Sequence, residues 1–274
     1  MQVTSDLAAG LALIRRSPLV YFLLSLLFPA SLAAVLLGFG LTPGRHPITL
    51  HTAGGFLTIL LSLWAFIYFT MMAAVRQIAN DDGSARGFLR LRAGPLFGLP
   101  LAVVFTVGLS LIAMIPVFLV QWLIVSEGRD MVLRGAMLGG QGDPAYFVSF
   151  AFVYSLSTAL VSTAIGSYFF AGFVVAPILS GLRGSGTWRA IREGREVAAA
   201  VRSRIFHVLF APIAVTQTVV IVAEALWPIA AIMLGLMYVQ VLTMAMLPLA
   251  ATVAIVGEHL SRTAAPGEVP EPPE

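Results

Sequence analysis

Six apolar stretches, near residues 18–41, 55–79, 95–125, 146–181, 205–226 and 228–257, dominate the chain. Each is long enough to cross a hydrocarbon core of about 30 Å, which takes about 20 helical residues. Hydrophobic residues make up 59% of the 274 and charged residues 11%. A soluble domain is about a quarter charged, so this chain has too little polar surface to hold its apolar material in water. Within a bilayer only helices and closed barrels satisfy their backbone polar groups, and stretches of this length are helices. The expected fold is all-α: a polytopic membrane protein with six transmembrane helices in one domain over 1–264. The tail over 265–274, rich in Pro and Glu, cannot bury a core and is expected to be disordered.

All sixteen basic residues are Arg, a usage expected of a GC-rich bacterial genome, and the spans divide them unequally. Arg15 and Arg16, then Arg76, Arg86, Arg90 and Arg92, then Arg183, Arg189, Arg192, Arg195, Arg202 and Arg204, and finally Arg262 all fall on one side, thirteen in number. Arg45, Arg129 and Arg134 fall on the other. The positive-inside rule then places both termini and the Arg-rich connections in the cytoplasm, with the chain in the bacterial inner membrane. A net charge of +3 carried this way anchors the chain in a membrane and does not imply nucleic-acid binding. The absence of Cys excludes disulfides, thiolate metal sites and iron–sulfur clusters. The absence of Lys excludes a Schiff base and a phosphate loop of the Walker type.

Arg15 and Arg16 followed by an apolar run resemble the start of a secretory signal, and Ser31-Leu32-Ala33 offers small residues for cleavage. The apolar sequence continues to Leu41 and five more spans follow, so this segment reads as an uncleaved first helix. Ahead of it, Leu7 to Ile14, with Ser5 and Asp6 as N-caps, predict a short helix in the cytoplasmic interface. The fourth stretch is longer than one span, so either it tilts into the cytoplasm or 144–152 begins as an outer interfacial segment. Glu224-Ala225-Leu226-Trp227-Pro228 leaves almost no loop between the last two spans, predicting a tight hairpin with Trp227 at the headgroups.

Arg92 precedes Pro100, and Arg204 precedes Pro212, each by eight residues, while Arg15-Arg16-Ser17-Pro18 opens the first span. This spacing suggests three consecutive out-and-back hairpins. Met71-Met72-Ala73-Ala74-Val75-Arg76, Ala176-Pro177-Ile178-Leu179-Ser180-Gly181 and Gly186-Thr187-Trp188-Arg189-Ala190-Ile191-Arg192-Glu193-Gly194 mark the same inner ends. In this respect the chain resembles the membrane domain attached to glycerophosphoryl diester phosphodiesterases, and its stand-alone six-helix bacterial relatives. The resemblance implies a non-catalytic six-helix domain, because the phosphodiesterase domain that would supply chemistry is missing from this sequence.

Three groups of residues are candidate sites. Gln217 and Gln240 lie on opposite arms of the last hairpin at depths differing by about 5 Å, with Thr243 beside them. A contact among them would satisfy a buried amide as packing glue. Along the fourth span Thr158, Ser162 and Gly166 recur every four residues, as do Ser155, Ala159, Thr163 and Ser167. Small residues so spaced let a neighbouring helix approach closely, so this helix is expected at the centre of the bundle, with Leu or Phe at Gly166 lowering the yield of folded protein. The connection over 184–204, if helical, presents Arg189, Arg192, Arg195, Arg202 and Arg204 to anionic lipid or a partner, with Trp188, Ile191 and Val197 toward the membrane.

Glu224, Glu258 and His259 read as interfacial anchors. His207 and His259 differ in depth by about 18 Å, too far to clamp one haem. His46, His51, Glu127, Asp130 and Asp143 read as solvated outer-loop residues, and no cofactor or metal is expected. HExxH and GxSxG motifs are absent, so hydrolase chemistry has no support. The expected role is a non-catalytic scaffold or modulator of a membrane assembly, whose partners are lipids or other membrane subunits. The alternative is a permease subunit coupled to a cytoplasmic ATPase through 184–204. That stretch resembles the coupling loop of an ABC permease in its place between the fourth and fifth spans, and Glu193 to Pro212 resembles it in length, although the family's Ala-Ala after Glu and its central Gly are here Gly194-Arg195 and Ala199.

Overall fold

The computed structural model describes residues 2–26, 50–80, 93–137, 144–226 and 246–263, and all regular structure among them is helical. The helices are α1 (Gln2–Arg16), α2 (Pro18–Leu26), α3 (Leu50–Asn80), α4 (Ala93–Met137), α5 (Pro144–Phe173), α6 (Val175–Arg183), α7 (Thr187–Leu226) and α8 (Leu247–Thr263). Three of them are long and apolar enough to cross a membrane: Gly94–Leu123, Leu156–Arg183 with its break, and Thr187–Val222. The α1–α2 pair would make a fourth if counted as one broken span. The tail, most of the sixth stretch, and the first stretch beyond Leu26 lie outside the described residues.

Proline accounts for the two sharpest features. Pro18 suits the first turn of a helix, but it drives the residue before it out of the helical region. The chain therefore bends by 95° between α1 and α2, while the Ser17 carbonyl accepts from Tyr21 N–H to begin α2. Pro177 has no N–H to give the Phe173 carbonyl four residues back, and its ring crowds that group. The long fourth stretch breaks there, into α5 and α6. Gly184, at φ +67°, then closes α6 in the left-handed conformation that glycine adopts without a Cβ penalty, and α7 begins three residues later.

The best-packed core gathers the Arg-bearing ends of the helices. Leu13 of α1, Met71 and Val75 of α3, Leu99 of α4, Ile178 of α6, Ile205 of α7 and Val253 of α8 all belong to it. Among the described residues α8 is buried at every position from Pro248 to Val253, and α6, the inner end of the fourth stretch expected at the centre, at every position but one from Val175 to Gly181. A helix apolar all round needs such a place. In contrast, α4 leaves Val104, Leu111, Ile112, Phe118 and Trp122 at least half open or nearly so, an apolar surface that suits lipid and not water.

The short helix expected at Leu7 to Ile14 is longer, starting at Gln2, which puts Asp6 in the second turn and not at an N-cap. Asp6, Gly10 and Leu13 form its buried face. A Cβ built on Gly10 would lie 2.6 Å from the backbone nitrogen of Ala251, so α1 and α8 touch backbone to backbone. This helix is therefore docked on the bundle by a glycine contact as well as by its charges.

Candidate functional site: the arginine face of α7

Of the 184–204 connection, residues 187–204 are helical, as conditionally expected, but they are not a separate element: after the non-helical link 184–186 they form the first half of the continuous α7. Ala190, Gly194, Ala198, Val201, Ile205 and Val208 are buried at spacings of three and four, one face of a helix turned inward. Gly194 brings a virtual Cβ within 3.2 Å of the Ala176 Cα, so α6 and α7 cross at close range. Val197, expected toward the membrane, packs on the core instead. Trp188 stands 79% exposed, and Ile191 is half-buried.

The five arginines singled out on α7 meet different surroundings. Arg204 is turned into the protein, where its Nε and Nη2 donate to the Asp6 carboxylate at 3.2 and 2.6 Å, and Nη2 also to Glu258 at 2.8 Å. Arg262 completes the network, with Nη2 2.5 Å from Glu258. The Arg204 side chain is 23% exposed and that of Asp6 7%, so this is an internal tie between α1, α7 and α8 and not the open lipid contact expected of Arg204. Arg202 is also occupied: its guanidinium lies 3.8 Å from the Tyr168 ring centroid and donates to the Tyr168 carbonyl at 3.2 and 3.3 Å. Arg189 and Arg183 share Glu193 at the surface, at 2.7 and 3.2 Å, a pairing of small energetic consequence. Arg192 and Arg195 are exposed and form no ion pair with a described residue.

Hydrogen bonds from Arg204 and the neighbouring charges of Arg204 and Arg262 hold the Glu258 carboxyl below the usual carboxylate range, against a smaller opposing effect of burial. A lowered folded-state value means that the network's contribution is complete at neutral pH. It fades as the pH falls below the ordinary carboxylate value of about 4.3. Glu258→Gln is therefore expected to melt below the unaltered protein at pH 7, by a gap that holds down to the ordinary carboxylate value and narrows only below it. Thermal unfolding in detergent from pH 7 down to about pH 2 checks this; a gap that is unchanged at the acid end would show that the charge of Glu258 is irrelevant.

The polar residues of the spans act as links between helices. Thr163 donates to the Gln217 carboxamide oxygen at 2.7 Å, joining α5 to α7. Gln240 and Thr243, the partners expected for Gln217, lie outside the described residues. Gln121 of α4, buried in an apolar stretch, donates to Thr158 of α5 at 2.7 Å. Nothing in the sequence reading picked it out, although a lone amide in a span was the available signal. Ser162 bonds back to the Thr158 and Ala159 carbonyls of its own helix. The close approach expected at Gly166 is not made: Gly166 borders a cavity of about 290 Å³, and a Cβ there meets nothing within 4 Å. A close approach of two helices through a small residue is made instead at Gly194 of α7, against Ala176 of α6.

Beside Trp188 and Arg195 runs a groove of about 400 Å³ between α4, α5, α6 and α7, lined chiefly by carbon. Gly98, Gly172 and Gly194, one from each of three helices, are among its walls. Arg195 therefore joins a cation to an apolar recess, whereas Arg189 outside the groove faces Glu193. Comparison with protein-family models, with curated proteins and with solved structures finds no match to the chain.

Proposed function

We propose that this chain is a six-span, non-catalytic protein of a bacterial inner membrane that scaffolds or modulates a membrane assembly, with the arginine face of α7 on anionic lipid. The observation that carries the reading is the division of α7. Its Ala190–Gly194–Ala198 face is locked into the core, while Arg192, Arg195 and Trp188 on the remaining surface stay open. A fixed helix presenting guanidinium groups and an indole suits the headgroup layer of a membrane, where each Arg near an anionic surface contributes about 1 kcal/mol. In this reading α1 lies along the cytoplasmic interface, both termini are cytoplasmic, and the likeness to the phosphodiesterase-associated membrane domain is one of architecture.

The permease alternative calls for a segment free to dock on an ATPase. The 184–204 stretch offers less than that, because its Ala190, Gly194, Ala198 and Val201 face packs on α6 and the core. Purification at native expression in mild detergent separates the two readings. The scaffold reading expects anionic phospholipid, with or without other membrane subunits, and no nucleotide-binding subunit. Stoichiometric recovery of an ATPase with the chain, lost on changing residues 184–204, would overturn it.

A further inference from the structure

We propose that the groove between α4, α5, α6 and α7 holds one anionic glycerophospholipid, with an acyl chain along its apolar walls and the phosphate on Arg195. This rests on the lipid-facing reading of α7 and gives it a specific site. The volume, about 400 Å³, falls within the range of about 300 to 1,000 Å³ usual for ligand pockets. Leu101, Phe105, Phe173 and Ile191 supply a carbon surface for a hydrocarbon chain, and the Phe105 and Phe173 rings stack at 5.6 Å to join α4 to α5. The single cation of the lining is Arg195, which has no carboxylate partner among the described residues. A guanidinium so placed offers a planar pair of donors to a phosphate. Trp188, also on the lining and 79% exposed, places an indole where an amphipathic ring sits at the headgroup level. Arg192, three residues before Arg195, adds positive field on the same helix. The combination of an apolar recess and one unmatched cation at its edge selects an occupant with a long apolar part and a negative head, which is the form of an anionic membrane lipid.

Trp188 also reports on occupancy. In the full chain carrying Trp64→Phe, Trp122→Phe and Trp227→Phe, it is the remaining indole. Reconstitution into phosphatidylcholine vesicles containing phosphatidylglycerol with brominated acyl chains is expected to quench it several-fold beyond the mole fraction of that lipid. Arg195→Gln is expected to reduce this preference about fivefold, the factor equivalent to one lost lipid–Arg contact. Arg189→Gln, at an exposed arginine paired with Glu193 outside the groove, is expected to preserve it. If both substitutions lower the preference equally, attraction is spread over the surface: the groove site is overturned and the lipid-facing reading stands. If the parent shows no preference for phosphatidylglycerol, both fall. Native mass spectrometry of the chain with its four tryptophans gives a second readout. Phosphatidylglycerol retained by the unaltered protein and by Arg189→Gln but lost from Arg195→Gln supports the site, and equal retention by all three overturns it.

Discussion

Arg204→Met is expected to destabilise the folded protein by about 3 kcal/mol, because it leaves the carboxylate of Asp6 buried without its cation. The Asp6 side chain is 7% exposed, and the nearest described cation holds it through two hydrogen bonds. The figure is set at the low end of the range for broken buried pairs because Arg204 keeps 23% of its surface in contact with solvent. In a chain of this size about 3 kcal/mol corresponds to a fall in melting temperature of roughly 5 to 10 °C. Removing the other partner as well, in Asp6→Asn with Arg204→Met, is expected to restore much of the loss, since no unpaired charge then remains buried. Circular dichroism in detergent follows both variants. A single variant that melts within a degree of the parent would mean that the network does not hold α1 on α7 and α8.

The second large effect is expected at Gly10. Gly10→Ala puts a methyl group 2.6 to 2.8 Å from the Ala251 backbone nitrogen, Cα and Cβ. Since the obstacle is mostly backbone, α1 must move away from α8 as a whole, at a cost of about 1 to 3 kcal/mol for overpacking. Detachment is expected to expose α1 to limited proteolysis before the rest of the chain. Gly166→Ala is the informative contrast: its Cβ meets nothing within 4 Å, and alanine favours a helix over glycine by about 1 kcal/mol. It is expected to leave the melting temperature unchanged or slightly raised. A Gly10→Ala protein as stable and protease-resistant as Gly166→Ala would contradict the packing of the two helices.

That contrast marks where sequence reading succeeded and where it stopped. Long apolar runs have one solution in a bilayer, so α3, α4 and the α5–α6 pair lie close to the stretches drawn at 55–79, 95–125 and 146–181. A helix over 184–204 was only a condition of the sequence reading; residues 187–204 are helical and 184–186 are not. The inward face was not legible, because the Ala190, Gly194 and Ala198 repeat is as regular as Thr158, Ser162 and Gly166, and spacing alone does not say which small residue lies against a neighbouring backbone. Asp6 and Arg204 are 198 positions apart, and no local pattern predicts that one closes on the other. Asp6 looked like a cap because it precedes an apolar run, and Arg204 like a lipid ligand because it ends an Arg-rich segment. Each reading was locally sound and was overridden by the tertiary pairing of opposite charges. The break after Phe173 was not expected, since the long fourth stretch was read as tilted or as starting in an outer interfacial segment; Pro177, four residues beyond the carbonyl it cannot serve, was the available signal.

The account depends most on the arginine-rich ends of the helices lying together on the cytoplasmic side. The chain has no cysteine, so single introduced thiols report without background. Ser203→Cys on α7 and Ser261→Cys on α8 replace exposed serines near the ion network, and Ser126→Cys marks the opposite side expected from the arginine distribution. With a membrane-impermeant maleimide, the account predicts labelling of Ser126→Cys in intact cells, and of Ser203→Cys and Ser261→Cys only after the membrane is opened. Labelling of Ser203→Cys in intact cells would contradict it.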